Sequence, residues 1–284
     1  MASYMELRRR MEFGRRVFLK DVNWINYLKL RASYGLTASL GPATNSNIVL
    51  RSQITNRTFP TERESIIRLA NLENSDLTWE KNYQTNVGLD AGLFKGRVNT
   101  SFDIYQRKSF DLISVIKTSG VGGEAYKAAN YADMTSKGAE AVIGGAVIRR
   151  KNWGWRINLT AGYNETKITN VKNIPTIFDL VKAEGGNTEG FPVNSILSIR
   201  FQGLNHLTGV PMFINEKGEV SSNVYLQDQD ISFLVFSGSV DPKLTGGFSN
   251  TFNYKAFSLN IFVTYQAGNK IRLYPCIQNC LHRF

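Results

Sequence analysis

Apolar and polar residues alternate with a period of two along several segments of about ten residues. In the clearest segment, at residues 82–94, the more apolar positions are Tyr83, Thr85, Val87, Leu89, Ala91 and Leu93. The positions between them are Asn82, Gln84, Asn86, Gly88, Asp90 and Gly92. Because successive side chains of a strand point to opposite faces, one face suits lipid and the other suits water. The pattern favours a transmembrane β-barrel, although a half-buried strand of a soluble sandwich alternates too.

The same alternation predicts seven spanning strands, at residues 28–36, 82–94, 97–108, 136–150, 155–167, 243–253 and 257–269. Short turns join three pairs of these strands, at residues 94–97, 152–154 and 254–256. Long connections cover residues 37–80, 109–134 and 168–242. Short turns at one end and long loops at the other are typical of bacterial outer-membrane barrels, whereas a sandwich shows no such bias.

Seven strands are too few to close a water-filled barrel, because even the smallest barrels use about eight. The chain is therefore predicted to be all-β, an antiparallel up-and-down transmembrane β-barrel segment of about seven to eight strands. It forms an open arc in isolation and belongs to a larger barrel. Lipid cannot satisfy the backbone groups at the two open strand edges, so the isolated chain is expected to aggregate in aqueous buffer without detergent.

Aromatic residues lie near both ends of the predicted strands. Those beside the short turns are Phe94, Trp153, Trp155, Tyr254 and Phe257. Those eight to eleven residues further along the strands are Tyr83, Tyr105, Tyr163 and Tyr265. With about 3.3 Å per residue and a tilted strand, this separation matches an apolar band roughly 25 Å tall. The two sets are therefore predicted to form girdles at the two membrane interfaces.

Two loop segments carry structure signals of their own. The strand-like stretch at residues 195–204 would break the alternation of strand direction if it crossed the membrane. It is therefore predicted to be a folded loop excursion, or to pair with a stretch such as Pro211–Ile214. At residues 61–64 the letters T-E-R-E read as a helix capping box, followed by apolar residues Ile66, Ile67 and Leu69. This pattern predicts a short helix that packs against its own loop.

Composition and charge exclude several classes of protein. The chain contains 12% aromatic and 20% charged residues, with a mean hydropathy of −0.23, and no window resembles an apolar membrane helix. Any membrane insertion is therefore expected through strands. The formal net charge is +11, but the Lys and Arg residues are spread over turns and loops instead of forming a stripe among stacking aromatics. No nucleic-acid partner is predicted.

Catalytic and metal chemistry find little support in the residue pattern. The two histidines are His206 and His282, and no G-x-S-x-G motif occurs, so no catalytic residue is assigned and no enzyme is predicted. Cys276 and Cys280 lie four apart without the second half of a zinc motif, so neither a metal nor a cofactor is predicted. A soluble β-sandwich that binds carbohydrate through exposed aromatic residues stays as the alternative.

Seven blocks of sequence, in order, resemble the C-terminal half of the barrel in SusC/RagA-type TonB-dependent transporters. The first two read FLKDVNWINYLKLRASYGLTA and LTWEKNYQTNVGLDAGLFKGRVNTSFDIYQRKSFDLI. The next three are MTSKGAEA, WGWRINLTAGYNETKIT and EGFPVNSI. The last two are GLNHLTGVPMF and DPKLTGGFSNTFNYKAFSLNIFVTYQAGNKI. Together they cover residues of about 18–274, and none of them is a catalytic motif.

This resemblance implies a plugged barrel of the 22-stranded class in the outer membrane of a Gram-negative bacterium, typically one of the Bacteroidetes. It implies active import of oligosaccharides or other large nutrients, sometimes peptides. The implied partners are outer-membrane lipid, a SusD-like surface lipoprotein and TonB, which acts through the plug and its TonB box. The chain contains only part of such a transporter, so alone it is not expected to transport.

The resemblance also divides the chain into three parts. Residues 1–17 are predicted to be a leader outside the family, 18–274 a partial barrel domain and 275–284 a tail outside the family. A frameshift or broken gene model is the hypothesis for both ends, and sequencing of the flanking DNA tests it. Polar loop residues that could reach a sugar are Asn45, Asn47, Gln53, Asn56, Asn187 and Gln227. Loops are rich in such residues in any case, so none is assigned to substrate.

Overall fold

The computed structural model describes residues 5–13, 24–40, 47–56, 63–71, 73–118, 120, 126–172 and 174–273. The first eight strands of this part are β1 (Met5–Phe13), β2 (Ile25–Ser39), β3 (Val49–Asn56), β4 (Arg63–Asn71), β5 (Glu80–Leu93), β6 (Val98–Lys117), β7 (Tyr126–Arg149) and β8 (Trp153–Val171). A short helix, α1 (Ile177–Leu180), follows. The other strands are β9 (Ser195–Ile199), β10 (Phe201–Leu204), β11 (Pro211–Ile214), β12 (Val220–Ser221), β13 (Leu234–Ser239), β14 (Leu244–Tyr254) and β15 (Phe257–Ala267).

Eight of these strands form one sheet, here called the wall, in the order β1-β2-β5-β6-β7-β8-β14-β15. Every neighbouring pair in the wall is antiparallel. The order departs from the chain order at two insertions, which lie at the same end of the wall. The β3–β4 hairpin is inserted between β2 and β5, and residues 172–243 are inserted between β8 and β14. All seven predicted spanning strands lie in the wall, which confirms the antiparallel up-and-down fold as an open sheet.

The wall contains one strand that the sequence analysis did not predict. β1 pairs with β2 along its whole length, from Met5 opposite Leu36 to Phe13 opposite Leu28. Its residues belong to the segment that was predicted to be a leader. The strand extends the sheet by one position beyond the β2 edge.

The register separates two faces along the whole wall. One row of neighbouring residues across seven strands runs Leu28, Ala91, Thr100, Ile143, Leu159, Phe248 and Val263. The adjacent row runs Lys29, Asp90, Ser101, Val142, Thr160, Gly247 and Thr264. We call these the apolar face and the polar face. Ile104 on the apolar face is 54% exposed, so no described side chain covers it fully. Such exposure is expected of a wall whose apolar face contacts lipid.

Three tight turns close the inner end of the wall, which we define as the end without insertions. Between β5 and β6, Lys95 and Gly96 have φ angles of +56° and +74°, and the Arg97 amide donates to the Phe94 carbonyl at 3.2 Å. Positive φ at both central positions is the type I′ geometry that suits the twist of a two-residue hairpin. The short turn predicted at residues 94–97 is confirmed.

Aromatic pairs flank the turns at this inner end. Trp153 lies 4.7 Å from Tyr254 between ring centroids, and Trp155 stacks on Phe252 at 5.5 Å. Both pairs join β8 to β14 on the apolar face, where amphipathic rings mark a membrane interface.

Tyr105 does not belong to the outer girdle predicted from the sequence. It lies in register with Asn86 and Gly138 on the polar face, and its hydroxyl is 3.3 Å from Asn164 Oδ1. Its ring covers Gly138, where a Cβ atom would collide with it. The prediction used spacing along β6 and overlooked parity, which places Tyr105 on the same face as Asp103.

β6, β7 and β8 extend well beyond the predicted bounds at the outer end. β6 continues to Lys117 and β7 begins at Tyr126, so the long connection predicted at residues 109–134 is wrong over most of its length. The register shifts between Ser109 and Leu112, where a β-bulge disturbs the alternation. The buried positions in this region include polar residues such as Ser109 and Asn130, so the sequence carries no simple apolar–polar alternation to reveal a strand.

The helix predicted after residue 61 is also wrong within the described part. Residues 63–71 form β4, which pairs with β3 from Asn56 opposite Arg63 to Val49 opposite Asn71. The β-branched Ile66 and Ile67 favour this extended state. Residues 61 and 62 of the capping box lie outside the described residues.

The second insertion folds as a small unit, here called the outer excursion (residues 172–243). β9 pairs with β13, and β10, β11 and β12 form a three-stranded sheet. The predicted pairing of Phe201–Leu204 with Pro211–Ile214 is confirmed. A small core of apolar side chains holds the unit together, namely Ile177, Leu180, Ile196 and Leu197.

Gly246 offers a test of the wall's packing. A Cβ atom there would collide with the Thr160 carbonyl oxygen on β8 and with the Tyr265 hydroxyl. Gly246→Ala is therefore expected to lower the free energy of unfolding by about 1–3 kcal/mol. This loss of stability is measured as a lower midpoint of heat unfolding. The difference in gel mobility between folded and unfolded receptor reports the unfolding. Gly162→Ala is the control, because its nearest neighbours would be 3.6 Å away. Equal midpoints for the two variants would contradict the packing.

Candidate functional site

The centre of the polar face holds a network of charged side chains around Arg31. Its guanidinium donates Nε to Asp90 Oδ2 and Nη2 to Asp90 Oδ1, both at 2.9 Å. Nη2 also lies 2.8 Å from Asp103 Oδ2. Arg31 thereby joins three neighbouring strands, β2, β5 and β6. Such a bidentate arginine pair is among the stronger polar contacts a protein can form.

Two further residues complete this network. The Ser101 hydroxyl donates to Asp90 Oδ1 at 2.8 Å and lies 3.1 Å from Asp103 Oδ2. The Lys29 ammonium lies 3.3 Å from Asp90 Oδ2. The two cations and two carboxylates balance, so the network is neutral as a whole.

Gly88 provides the space in which the network lies. A Cβ atom at this position would collide with the Asp103 carboxylate and with the Arg31 guanidinium. Within the described part of the chain, Asp103 Oδ1 and Asn86 Oδ1 are buried acceptors that receive no hydrogen bond. The Arg31 guanidinium is therefore the main group that neutralises the negative charge of the Asp103 carboxylate.

The polar face has a second half of different chemistry. β14 and β15 contain no charged residue at all. Their polar-face positions carry hydroxyls, amides and glycines, such as Thr245, Gly247, Ser249, Asn260 and Thr264. The exception is Phe262, whose side chain is 66% exposed on this face. The wall thus presents a charged half on β2, β5 and β6 and a neutral hydrogen-bonding half on β14 and β15.

At the outer end, Asn130 on β7 fixes the chain segment that leads into β5. Its Oδ1 accepts the Thr78 amide at 2.7 Å, and its Nδ2 donates to the carbonyls of Thr78 and Asp111 at 2.9 and 2.6 Å. Asn130 is buried, so these bonds satisfy the whole amide group. The start of β5 is thereby tied to β6 and β7.

Asp111 binds two more segments at the β6 bulge. Its carboxylate lies 3.2 Å from the Lys81 ammonium and 3.1 Å from that of Lys172. Asp111 has a φ of +57°, and its amide donates to Asp133 Oδ1 at 2.9 Å. The bulge therefore positions the first residue of the outer excursion relative to the wall.

Asp179 in α1 connects the outer excursion to β6. Its Oδ1 lies 2.5 Å from the Lys117 ammonium and 3.3 Å from that of Lys182, and Thr176 donates its hydroxyl to Oδ2 at 3.0 Å. Burial alone would raise the pKa of Asp179. The hydrogen bonds from Lys117, Thr176 and Lys182 outweigh burial and lower the pKa below the usual range for aspartate.

The lowered pKa of Asp179 predicts acid-sensitive docking of α1. The stabilisation is complete above the unfolded pKa of about 4 and is lost as the pH falls through the lower folded value. Since Lys117 is half exposed, Asp179→Asn should cost only about 0.5–1 kcal/mol. Hydrogen exchange of amides 177–181 near neutral pH measures this loss. Glu184→Gln, which removes an exposed acid with no ion pair among the described residues, should change nothing.

The polar loop residues considered from the sequence do not share one place. Gln53 and Asn56 lie on β3, and Asn187 and Gln227 lie in the outer excursion. Asn187 uses its Oδ1 to accept the Asn194 amide at 2.8 Å, which is a local loop contact. Asn45 lies outside the described residues, as do Cys276, Cys280 and His282.

The described ranges contain neither a cluster of metal-ligating side chains nor a helix suited to crossing a membrane. No group of three or more His, Cys, Asp or Glu side chains there could hold a metal ion. No helix in those ranges is long and apolar enough to cross a membrane.

The wall's register and its interrupted meander agree with a known family. A family model described as "TonB dependent receptor-like, beta-barrel" matches residues 20–274. The chain belongs to the TonB-dependent receptor β-barrel family. The resemblance to SusC/RagA-type receptors is confirmed, as is the location in the outer membrane of a Bacteroidetes cell.

Receptors of two bacteria show the extent of the sequence similarity. TonB-dependent receptor P3 of Formosa agariphila is 24% identical over 281 residues, which is 92% of this chain and 28% of P3. TonB-dependent receptor SusC of Bacteroides thetaiotaomicron is 31% identical over 157 residues, which is 54% of this chain and 16% of SusC. The chain therefore spans less than a third of these curated receptors.

Solved receptor structures show the same fold. The RagAB peptide importer in its closed-closed state aligns with a TM-score of 0.71 and 22% identity. The alignment covers 94% of this chain and 29% of the importer chain. The open-open state gives a TM-score of 0.71 with 24% identity.

Proposed function

We propose that this chain is part of the wall of a TonB-dependent active importer in the outer membrane, and that residues 18–274 are its barrel portion. Family membership supports this assignment, and so do an apolar face without partners in the described part of the chain and a polar face of fixed charge networks. β1, which lies before residue 18, pairs with β2 and adds one more strand to the wall. The alternative, a soluble carbohydrate-binding sandwich, would need a second sheet to cover the apolar face, and no described strand covers it.

Oligosaccharides are the substrate class that the polar face favours. The neutral half offers hydroxyl and amide groups together with the exposed Phe262 ring, and sugars bind through hydrogen bonds and stacking on such groups. Peptides are the second candidate, because the similar RagAB assembly is a peptide importer. The observation that carries the proposal is the family match over residues 20–274.

Growth on defined nutrients tests import. The chromosomal gene is altered by deleting the codons for residues 244–267, which removes β14 and β15. The strain should lose growth on at least one oligosaccharide or peptide source and keep growth on the corresponding free monomer. An allele with Leu207→Ala, an exposed loop change, is the control. Unchanged growth and uptake on every source would refute the proposal.

A SusD-like surface lipoprotein and TonB are the proposed partners. Tagged receptor, extracted from native membranes in mild detergent, should co-purify with a lipoprotein of this type. Dissipation of the proton gradient should abolish uptake, because the proposed transport draws its energy through TonB. Uptake that persists without the gradient would exclude the TonB-dependent mechanism.

A further inference from the structure

The apolar face of the wall ends, toward the outer end, in three lysines that we call the lysine triangle. They are Lys108 on β6, Lys137 on β7 and Lys167 on β8. Lys108 and Lys167 both lie opposite Thr135, one on each side of β7. With strands spaced about 4.8 Å apart, their backbones are separated by roughly 10 Å. Lys137 follows Thr135 on the same face of β7, one row nearer to the middle of the apolar face.

The charge of the lysine triangle is not neutralised within the described part of the wall. None of the three lysines forms an ion pair with a described residue. The acid nearest to them on this face is Glu165, which lies opposite Lys137. Its carboxylate is 2.7 Å from the Lys243 ammonium, so that pair is neutral by itself. All three lysines of the triangle are exposed, and together they present three positive charges.

A groove with a volume of about 620 Å³ leads from the lysine triangle into the apolar face. The groove forms because the small residue Ala139 on β7 lies between the larger side chains of Ile104 and Tyr163 on the neighbouring strands. Its outer rim is polar and includes Gln106 and Lys137. The surface therefore joins a cationic rim to an apolar depression that is large enough for a ligand.

The position of this groove decides the kind of molecule that can occupy it. The groove opens on the face that contacts lipid, and it lies toward the end of the wall that carries the long insertions, which faces the outside of the cell. A molecule of the outer leaflet with an acyl chain fits the apolar depression. A phosphate group fits the triangle, because lysine binds phosphate as a mobile point charge.

The spread of polar groups favours a glycolipid over a simple phospholipid. Three ammonium groups on backbones as much as 10 Å apart exceed what one phosphodiester can contact at once. Between and beside them lie neutral hydrogen-bonding side chains on the same face, namely Thr85, Gln106 and Thr135. Such groups match the hydroxyls of a sugar head group, which lies between its phosphates and its acyl chains.

We infer that the lysine triangle and its groove bind a phosphorylated glycolipid of the outer leaflet. The phosphate lies among Lys108, Lys137 and Lys167, and an acyl chain lies along Ala139 between Ile104 and Tyr163. The site lies on the opposite side of the wall from the polar face, so it goes beyond the proposed import function. It would fix one lipid molecule on the outer surface of the barrel.

Native mass spectrometry of the tagged full-length receptor in non-ionic detergent micelles tests this inference. The probe is purified lipid A, a phosphorylated and acylated disaccharide, and the comparisons are dephosphorylated lipid A and phosphatidylglycerol. The charge variant combines Lys108→Gln, Lys137→Gln and Lys167→Gln. Its matched control combines Lys95→Gln, Lys151→Gln and Lys255→Gln, which removes the same charge from exposed lysines of the inner turns. A groove variant, Ala139→Phe, keeps the whole triangle and fills the depression.

The wild-type receptor should bind lipid A at least about tenfold more tightly than either comparison lipid. The charge variant should bind lipid A about tenfold more weakly because its phosphate contacts are lost, while the control stays within about twofold of wild type. Ala139→Phe should also weaken binding, although no charge changes. Equal weakening in the charge variant and its control would show a general charge effect and overturn the inference. Equal binding of lipid A and phosphatidylglycerol, or of lipid A with and without phosphate, would overturn it as well.

Discussion

Replacing Arg31 by methionine is expected to lower the free energy of unfolding of the wall by about 1–3 kcal/mol. The substitution keeps an unbranched side chain but removes the guanidinium that lies between Asp90 and Asp103. Asp90 would retain Lys29 as a partner, whereas Asp103 would lose its cation. The two carboxylates, about 80% buried by their side-chain exposures of 20% and 19%, would then repel each other.

Denaturant unfolding of the receptor in detergent measures this loss, and a second substitution shows its cause. Asp103→Asn in the Arg31→Met background removes the uncompensated charge and should recover part of the stability. Arg107→Gln is the matched control on the same face, because the Arg107 guanidinium makes a long contact of 3.4 Å to Gln84 Oε1 and no ion pair with a described residue. Equal losses for Arg31→Met and Arg107→Gln would contradict the central role of Arg31.

Leu197→Ala is expected to have the largest effect, a loss of about 2–5 kcal/mol confined to the outer excursion. Leu197 is only 1% exposed in β9 and packs in the small core of that unit. Its backbone also carries contacts, since the Leu197 carbonyl accepts Arg272 Nη2 at 2.6 Å. The cavity left by the missing methyl groups would loosen the pairing of β9 with β13 while the wall remains intact.

Amide hydrogen exchange in β9 and β13, with limited proteolysis, measures this local effect. Leu207→Ala removes the same atoms from a side chain of the same excursion that is 84% exposed, so it should change stability by less than about 0.5 kcal/mol. Protection factors that fall equally in both variants would contradict the assignment of the core. Loss of the wall strands with Leu197→Ala would show that the excursion is not an independent unit.

The spanning part of the fold could be predicted from the sequence because lipid imposes a strict pattern. A strand with lipid on one face must alternate, so residues such as Leu89 and Asp90 reveal the strand, its faces and its direction. Where lipid is absent the constraint disappears. The outer extensions of β6 and β7 bury polar residues such as Asn130, and β3 is largely exposed, so these segments carry no comparable alternation.

The charge networks were harder to foresee because they depend on register between strands. Arg31, Asp90 and Ser101 lie far apart in sequence, and only the pairing of β2, β5 and β6 brings them together. Tyr105 was assigned wrongly for a related reason. Its spacing along β6 suggested a membrane interface, but its odd-numbered position places it on the polar face. A parity check along β6 could have placed Tyr105 on the polar face.

Accessibility along one strand tests most directly the claim that this chain is a lipid-facing barrel wall. Spin labels are placed singly at positions 99–104 of β6 in the full-length receptor, reconstituted in a bilayer. Collision with oxygen, which concentrates in lipid, should be high at Thr100, Phe102 and Ile104, and low at Asn99, Ser101 and Asp103. Equal collision with oxygen and a water-soluble reagent at all positions, or the opposite alternation, would contradict the account.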